Sequence, residues 1–308
     1  MMSAPSGREL AHVNSPTELR NPATTNIDQL STLDVLRTIN AADTEVPAAV
    51  GAVLPALAVL VDHAVAALRA EHRVHYVGAG TSGRLSVLDA AELVPTFNIP
   101  ADWFVPHHAG GDEALLRAVE NAEDDADAGA AEISASARAG DVVVGLTASG
   151  RTPFVIGALA AARRLGARTA LVSANPDAPA NAEVDVPIAV DTGPEVIAGS
   201  TRMKAGTAQK LVLTAFSTAV MVRYGRTYSN LMVSMRATNA KLRGRTLRIL
   251  HEATGATEQD CADALAVADG DLKVALVQLL SGADTQRSAA ALTEARGQVR
   301  AALTALGA

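Results

Sequence analysis

One cysteine in 308 residues, Cys261, excludes an intrachain disulfide and any metal site built from thiolates. Aromatic residues are nearly as scarce, at four Phe, three Tyr and one Trp, too few for a base-stacking nucleic-acid platform. The formal net charge is -7, whereas a general nucleic-acid surface is basic. The N-terminal stretch holds Arg8, Glu9 and His12 but no apolar signal core, which argues against secretion. The uncharged stretch 46–61 contains Pro55 and stops at Asp62, short of the roughly 18–20 residues a spanning helix needs. The expectation is a buried helix in a cytoplasmic protein that has neither membrane nor nucleic acid as a partner.

What is abundant is Ala, Val and Leu, and 49% of the chain is apolar. Five short apolar runs, at 73–77, 103–106, 141–146, 169–173 and 186–190, read as strands. Helical patterns fill most of the gaps, at 84–94, 113–122, 130–138 and 153–165. Such alternation predicts an α/β fold, a five-stranded parallel sheet flanked by helices. Ahead of it, residues 1–45 read as an arm with a short helix at 32–40, followed by a long helical run at 46–71 with a possible kink at Pro55. Behind it, 201–250 reads as a long helical region, nearly uncharged over 205–222 apart from Lys210, which is expected to have a partner. After Gly255 come three short amphipathic patterns, at 258–267, 271–280 and 286–305. The expected division is an arm at 1–45, a catalytic domain at 46–250 and a small helical module at 251–308.

Two strand-to-helix turns carry the chemistry. The first is Gly78-Ala79-Gly80-Thr81-Ser82-Gly83-Arg84 and the second Thr147-Ala148-Ser149-Gly150-Arg151-Thr152. Helix N-termini and glycine-rich turns offer backbone N–H groups to an anion, and hydroxyls add directional hydrogen bonds. No Walker lysine is present, which favours a phosphate that stays on its substrate. The first turn also reads G-x-G-x-x-G, but a dinucleotide fold needs an acid near the end of the next strand. Here that strand runs into Pro106, His107 and His108. Adjacent strand histidines point to opposite faces, so no metal is expected there. A glycine turn can also serve strand–helix packing alone, although a second hydroxyl-rich copy goes beyond that need.

On a five-stranded pattern, these two turns resemble the sugar isomerase (SIS) domain, a flavodoxin-like fold. Longer stretches resemble the N-acetylmuramic acid 6-phosphate etherases. They are Thr17-Glu18-Leu19-Arg20-Asn21, Leu88-Asp89-Ala90-Ala91-Glu92 and Ala118-Val119-Glu120-Asn121-Ala122-Glu123-Asp124. The longest is Gly199-Ser200-Thr201-Arg202-Met203-Lys204-Ala205-Gly206-Thr207-Ala208-Gln209-Lys210-Leu211. The tail loosely resembles the ubiquitin-associated-like module that ends such enzymes.

The resemblance implies a carbon–oxygen lyase of cell-wall amino sugar recycling. It would convert N-acetylmuramic acid 6-phosphate to N-acetylglucosamine 6-phosphate and D-lactate, with no cofactor and no metal. It implies Glu92 as proton donor to the lactate oxygen and Glu123 as C2 base and water activator, with Glu120, at i, i+3 on an expected helix, as competitor. Thr81, Ser82, Gly83, Thr147, Ser149, Gly150 and Thr152 would hold the phosphosugar. Ser200, Thr201, Arg202 and Lys204 would meet its phosphate or lactyl carboxylate, or else simply begin a helix. Asp124, Asp125 and Asp127 read as a solvated turn. A homodimer is implied too. Two other readings are a non-catalytic phosphosugar sensor that regulates a kinase and an SIS aldose–ketose isomerase; the pair Glu92 and Glu123 favours the etherase.

Overall fold

The computed structural model describes residues 15–117, 119–235 and 240–308. Residues 1–14 of the expected arm, Ala118 and part of the expected 201–250 helix lie outside the described residues. The apolar runs form strands β1 (Val74–Gly78), β2 (Phe104–His108), β3 (Val142–Leu146), β4 (Arg168–Ser173) and β5 (Val186–Ala189). They pair in parallel in the order β2-β1-β3-β4-β5. β1 and β3 are buried along their whole length, as strands covered on both faces must be.

The first seven helices are α1 (Thr32–Asp43), α2 (Val46–Arg69), α3 (Gly80–Phe97), α4 (Glu113–Leu116), α5 (Ala126–Ser136), α6 (Pro153–Leu165) and α7 (Lys204–Tyr224). On one sheet face α2, α3 and α7 bury Leu60, Ala64, Phe97, Phe216 and Met221 against Tyr76, Val144, Val172 and Ile188. On the other, Ile133 of α5 and Phe154, Val155 and Ala158 of α6 cover Val77, Val143 and Leu171. Val-rich strands thus feed two cores through the alternation of their side chains.

Several expected boundaries move. α3 continues through Pro95 to Phe97 and ends at Asn98, which is left-handed; burial of Leu93 and Phe97 carries the last turn past the proline. The expected helix at 113–122 shrinks to α4. Gly110 and Gly111 adopt positive φ, as does Asn121 (φ 62), and only a 3-10 turn, Ala122–Asp124, follows. Glu120 and Glu123 therefore share no helix face. Asp125 is no idle surface charge: its side chain accepts from the Ala128 N–H and caps α5. The uncharged stretch 46–61 lies inside the longer helix α2, which runs on through Asp62 to Arg69. The run Thr32–Arg69 is long and apolar enough to cross a membrane by length and composition, but α2 lays Leu57, Leu60, Val61, Ala64 and Leu68 into the core.

The expected 201–250 helix breaks at Gly225 (φ 98), which ends α7. A hairpin of β6 (Thr227–Tyr228) and β7 (Leu231–Met232) follows, then α8 (Ala240–Thr254), α9 (Glu258–Val267), α10 (Leu272–Ser281), α11 (Thr285–Glu294) and α12 (Val299–Leu306). Gly297 at positive φ divides what read as one helix at 286–305. The tail helices share a core of their own that draws in Val233, Met235, Ile249 and Leu250. Lys273 joins this unit to the end of α7 by donating to the carbonyls of Gly225 and Gly297. Burial lowers its pKa to about 8.

Two polar ties run through the apolar layers. Asp89 of α3 accepts from the Tyr76 hydroxyl at 3.0 Å and from the Ser217 hydroxyl at 3.0 Å, linking α3 to β1 and α7. On the other face Asp141, His75, His107 and Glu132 form a chain with separations of 3.2, 2.9 and 3.0 Å. Burial and the neighbouring His107 lower the His75 pKa to about 4, so the ring is neutral near pH 7. With Asp141 accepting at Nε2, neutral His75 accepts at Nδ1 from His107.

α5 and α6 cross closely because each presents a glycine to the other's backbone. A Cβ on Gly129 would overlap the Phe154 carbonyl oxygen, and one on Gly157 the Ala126 carbonyl oxygen. Gly157→Ala should therefore destabilise the chain by about 2–3 kcal/mol, read as a lower urea midpoint at unchanged slope. An unchanged midpoint would show that the two helices can separate freely.

Asp89 supplies a pH-dependent expectation. Burial raises its pKa from 3.8 to about 6, against the opposing effect of the two hydroxyl donors and Lys210. Between those values the folded chain holds a proton that the unfolded chain has released, so stability falls as pH rises through the window. Asp89→Asn removes that slope. The variant should gain about 2–3 kcal/mol relative to the parent between pH 4 and pH 7 in urea unfolding. Parallel curves for the two proteins would contradict the assignment.

Candidate functional site

The sheet reverses its strand order between β1 and β3, and open α/β sheets bind ligands at such a switch point, beyond the carboxyl ends of the strands. The turns 79–84 and 147–152 leave these two strands side by side. Gly80 (φ +54) opens α3, and a Cβ on Gly78 would come within 2.7 Å of the Gly83 backbone nitrogen. The strand end and the helix start therefore touch. His108 packs its ring on Gly83, with Nε2 3.2 Å from the Gly80 carbonyl and Nδ1 2.8 Å from the Ala109 carbonyl.

Between the turns lies a cavity of about 570 Å3. Its walls bring together Thr81, Ser82, Thr147, Ser149, Thr152 and Glu123. Thr147 Oγ1 sits 2.7 Å from Thr152 Oγ1 and 3.3 Å from Ser149 Oγ, and Ser149 Oγ also accepts from the Arg151 N–H. Neither α3 nor α6 has its first turn closed by its N-cap side chain. Hydroxyls and helix starts thus converge where an anion would sit, while Glu123 stands exposed at the rim.

The same walls include Thr201, which the sequence reading set beside Ser200, and Glu18, Asp124, Arg151 and Gly199, to which it gave no role in the site. Glu18 arrives because the Gly199 N–H donates to the Thr17 carbonyl at 3.0 Å and the Thr24 hydroxyl to the Val196 carbonyl at 2.8 Å. Only the presence of Thr17-Glu18 and Gly199–Thr201 inside the family-like stretches hinted at this. No local pattern links segments so far apart in the chain.

Five of the expected contact residues stand away from these walls. Gly83 and Gly150 are buried and serve close packing, Gly83 against His108 and Gly150 against Ala178. Ser200 and Arg202 are not part of the walls, and Arg202 is exposed. Lys204 is buried and lines a different cavity, of about 690 Å3, beside Thr24, Glu45 and Thr192. Its Nζ donates to Glu45 at 2.9 Å. Its backbone N–H and that of Ala205 donate to the buried Glu195 carboxylate at 2.8 and 3.0 Å. Glu195 is thus the acid that lets a lysine begin α7. Burial raises the Glu195 pKa, and the two N–H groups oppose that shift.

Glu92 also stands apart. It is exposed and lines a groove of about 360 Å3 between α3 and α7 with Leu88, Asp89, Lys210 and Ser217. Lys210, expected inside an apolar helix, is instead exposed beside Asp89, whose charged form it favours. Glu92 lies twelve residues beyond Gly80 on one continuous helix, or about 18 Å along its axis. That exceeds the reach of a hexose 6-phosphate from its phosphorus to C3. Among the described residues no group of three or more His, Cys, Asp or Glu side chains is placed to hold a metal. His107 turns to His75 and Glu132, and His108 to the Gly80 turn.

Residues 56–163 match the glucokinase regulatory protein N-terminal SIS domain. The chain is 62% identical over 269 residues to an N-acetylmuramic acid 6-phosphate etherase of Thermobifida fusca (strain YX), covering 87% of this chain and 88% of that protein. It is 52% identical to one of Serratia proteamaculans (strain 568), covering 94% and 97%. Among solved structures, a phosphoheptose isomerase from Francisella tularensis aligns with TM-score 0.48 and 18% identity, over 62% of this chain and 98% of that one. Identity of this level over nearly the full length of both chains settles the family: this chain belongs to the N-acetylmuramic acid 6-phosphate etherases.

Proposed function

We propose that this chain is a carbon–oxygen lyase that cleaves the C3 lactyl ether of N-acetylmuramic acid 6-phosphate, releasing D-lactate and N-acetylglucosamine 6-phosphate in the recycling of cell-wall amino sugar. The observation that carries the reading is the hydroxyl-lined cavity at the β1/β3 switch point with Glu123 at its rim, in a chain 62% identical to an enzyme of that name. A sensor would need the phosphate cradle but not the carboxylates; an isomerase would need a C2 base but no proton donor at the C3 oxygen. The division into an arm at 1–45, a phosphosugar-binding unit at 46–250 and a helical module at 251–308 goes with this reading, as does a cytoplasmic setting.

An alkyl ether resists direct hydrolysis. With the sugar opened to its aldehyde, the C2 proton becomes acidic and Glu123 takes it. The electron pair forms the C2–C3 double bond as the C3–oxygen bond breaks, and Glu92 gives its proton to the departing lactate. Glu123 releases its proton to solvent while Glu92 regains one from it; Glu123 then takes a proton from the water that adds at C3 and returns it to C2. An acid and a base of this kind each contribute typically 10²–10⁴ in rate. Thr81, Ser82, Thr147, Ser149 and Thr152 hold the phosphate through hydroxyls and N–H groups. Gly83 and Gly150 shape the turns, and Lys204 anchors the start of α7 beside the site, with Ser200 and Arg202 in the turn before it.

The helical distance between Glu92 and its own chain's cavity favours a homodimer in which each site takes Glu92 from the second copy. Exposed Leu54 and Val59 on α2, Leu88 on α3 and Val222 on α7 offer apolar surface for such a contact.

Turnover in heavy-oxygen water should place solvent oxygen at C3 of the sugar and none in lactate; absence of lactate release would end the etherase reading. Glu92→Gln should abolish ether cleavage while sparing C2 proton exchange, and Glu123→Gln should abolish exchange. Mixed and reassembled, the two inactive variants should regain about a quarter of parent activity, because half the dimers carry one intact site. A mixture that stays inactive while heterodimers are shown to form would refute the shared site.

A further inference from the structure

The segment that delivers Glu123 has little structure of its own. Between β2 and α5 it contains one turn of helix, α4, and one 3-10 turn. Leu116 is 90% exposed and Val119 41%, while the small side chains of Ala114 and Ala122 pack inward, so its larger apolar side chains do little to hold it. Beneath it lies a cavity of about 450 Å3, with Arg84, His108, Glu120 and Glu123 in its walls. Packing therefore does not fill the space between α3 and this segment. One side chain crosses it. The Arg84 guanidinium donates from Nε to the Leu115 carbonyl at 2.9 Å, and from Nη2 to the Ala114 carbonyl at 2.7 Å and the Arg117 carbonyl at 3.5 Å. These are carbonyls in and just beyond α4, left without partners by so short a helix. The planar fork of a guanidinium suits several acceptors at once, and a lysine ammonium does not.

Arg84 stands two residues after Ser82, at the end of the turn 79–84 that opens α3. The same turn thus presents Thr81 and Ser82 to the cavity and Arg84 to the segment that ends in Glu123. We propose that Arg84 is a positioning residue: by clasping the carbonyls of Ala114, Leu115 and Arg117 it fixes the Glu123 carboxylate relative to the phosphate-binding turn. This rests on the reading of Glu123 as the C2 base. Phosphate binding sets where C2 lies, and the clasp sets where the base lies, so one rigid turn controls both.

The test uses the full chain, N-acetylmuramic acid 6-phosphate as substrate, and C2 proton exchange in heavy water as a second readout. In Arg84→Ala, kcat and the exchange rate should fall together by about 10–100-fold while KM stays within about threefold, because the base is displaced and the phosphate turn is kept. Arg84→Lys should recover little, and added guanidinium ion should restore part of the activity of Arg84→Ala and none of that of Glu123→Gln. Should Arg84→Ala fail to fold, Arg84→Lys carries the same test, with faster amide hydrogen exchange expected over residues 109–125. Parent-like kcat and exchange in both variants, with Glu123→Gln inactive in exchange, would overturn the clasp and leave the base intact. A rise in KM at unchanged kcat would assign Arg84 to substrate binding instead. Exchange that persists in Glu123→Gln would remove the base assignment and the purpose of the clasp with it.

Discussion

The constraint on which the rest depends is the contact between the end of β1 and the start of α3. Gly78 and Gly83 approach so closely that neither tolerates a Cβ. That contact brings the first turn of α3 down onto the sheet edge at the one place where strand order reverses. Thr81 and Ser82 then face Thr147, Ser149 and Thr152 across the crevice. An anion there meets hydroxyl groups and helix starts; among the described residues Arg151 is the one Lys or Arg in the cavity wall. Such a site can hold a phosphate in a chain whose net charge is negative, because the favourable field is local and comes largely from oriented dipoles.

Buried polar groups divide the labour of holding this geometry. Glu195 satisfies the first N–H groups of α7, and Lys204 finds Glu45. Asp89 ties three elements on one sheet face, while the Asp141–His75–His107–Glu132 chain ties the other. Each tie carries a charge or proton into a low-dielectric layer, which is costly unless hydrogen bonds compensate. In return the strands and helices acquire one register each, which apolar packing of Ala, Val and Leu specifies less sharply. The tail contributes a separate core and meets the main unit through Lys273 at the end of α7.

Much of the architecture was legible in the chain. All five strands lie within two residues of their expected positions, because a parallel strand buried on both faces must be a short, continuous apolar run. The turns were legible because few residues other than Gly, Ser and Thr suit that geometry. The segment 113–125 was not. Its Ala, Leu and Glu residues have good helix propensity, yet Arg117 turns extended directly after Leu116 and Asn121 takes the left-handed conformation, so the helix ends after one turn. The arm's contribution was also hidden, since Glu18 reaches the cavity only through hydrogen bonds between residues far apart in sequence.

The sequence by itself determined the fold class, the two glycine- and hydroxyl-rich turns and the family, since each is written in local patterns of burial, glycine and hydroxyl. Tertiary structure alone decided which members of those patterns share a cavity. It placed Glu123 with Thr147 and Ser149, and it sent Glu92 to the far end of α3 and the buried Lys204 to an ion pair with the exposed Glu45. The physical reason is that a motif records what a residue can do, whereas reach is set by the rise of a rigid helix and by which side chains compensate buried charge.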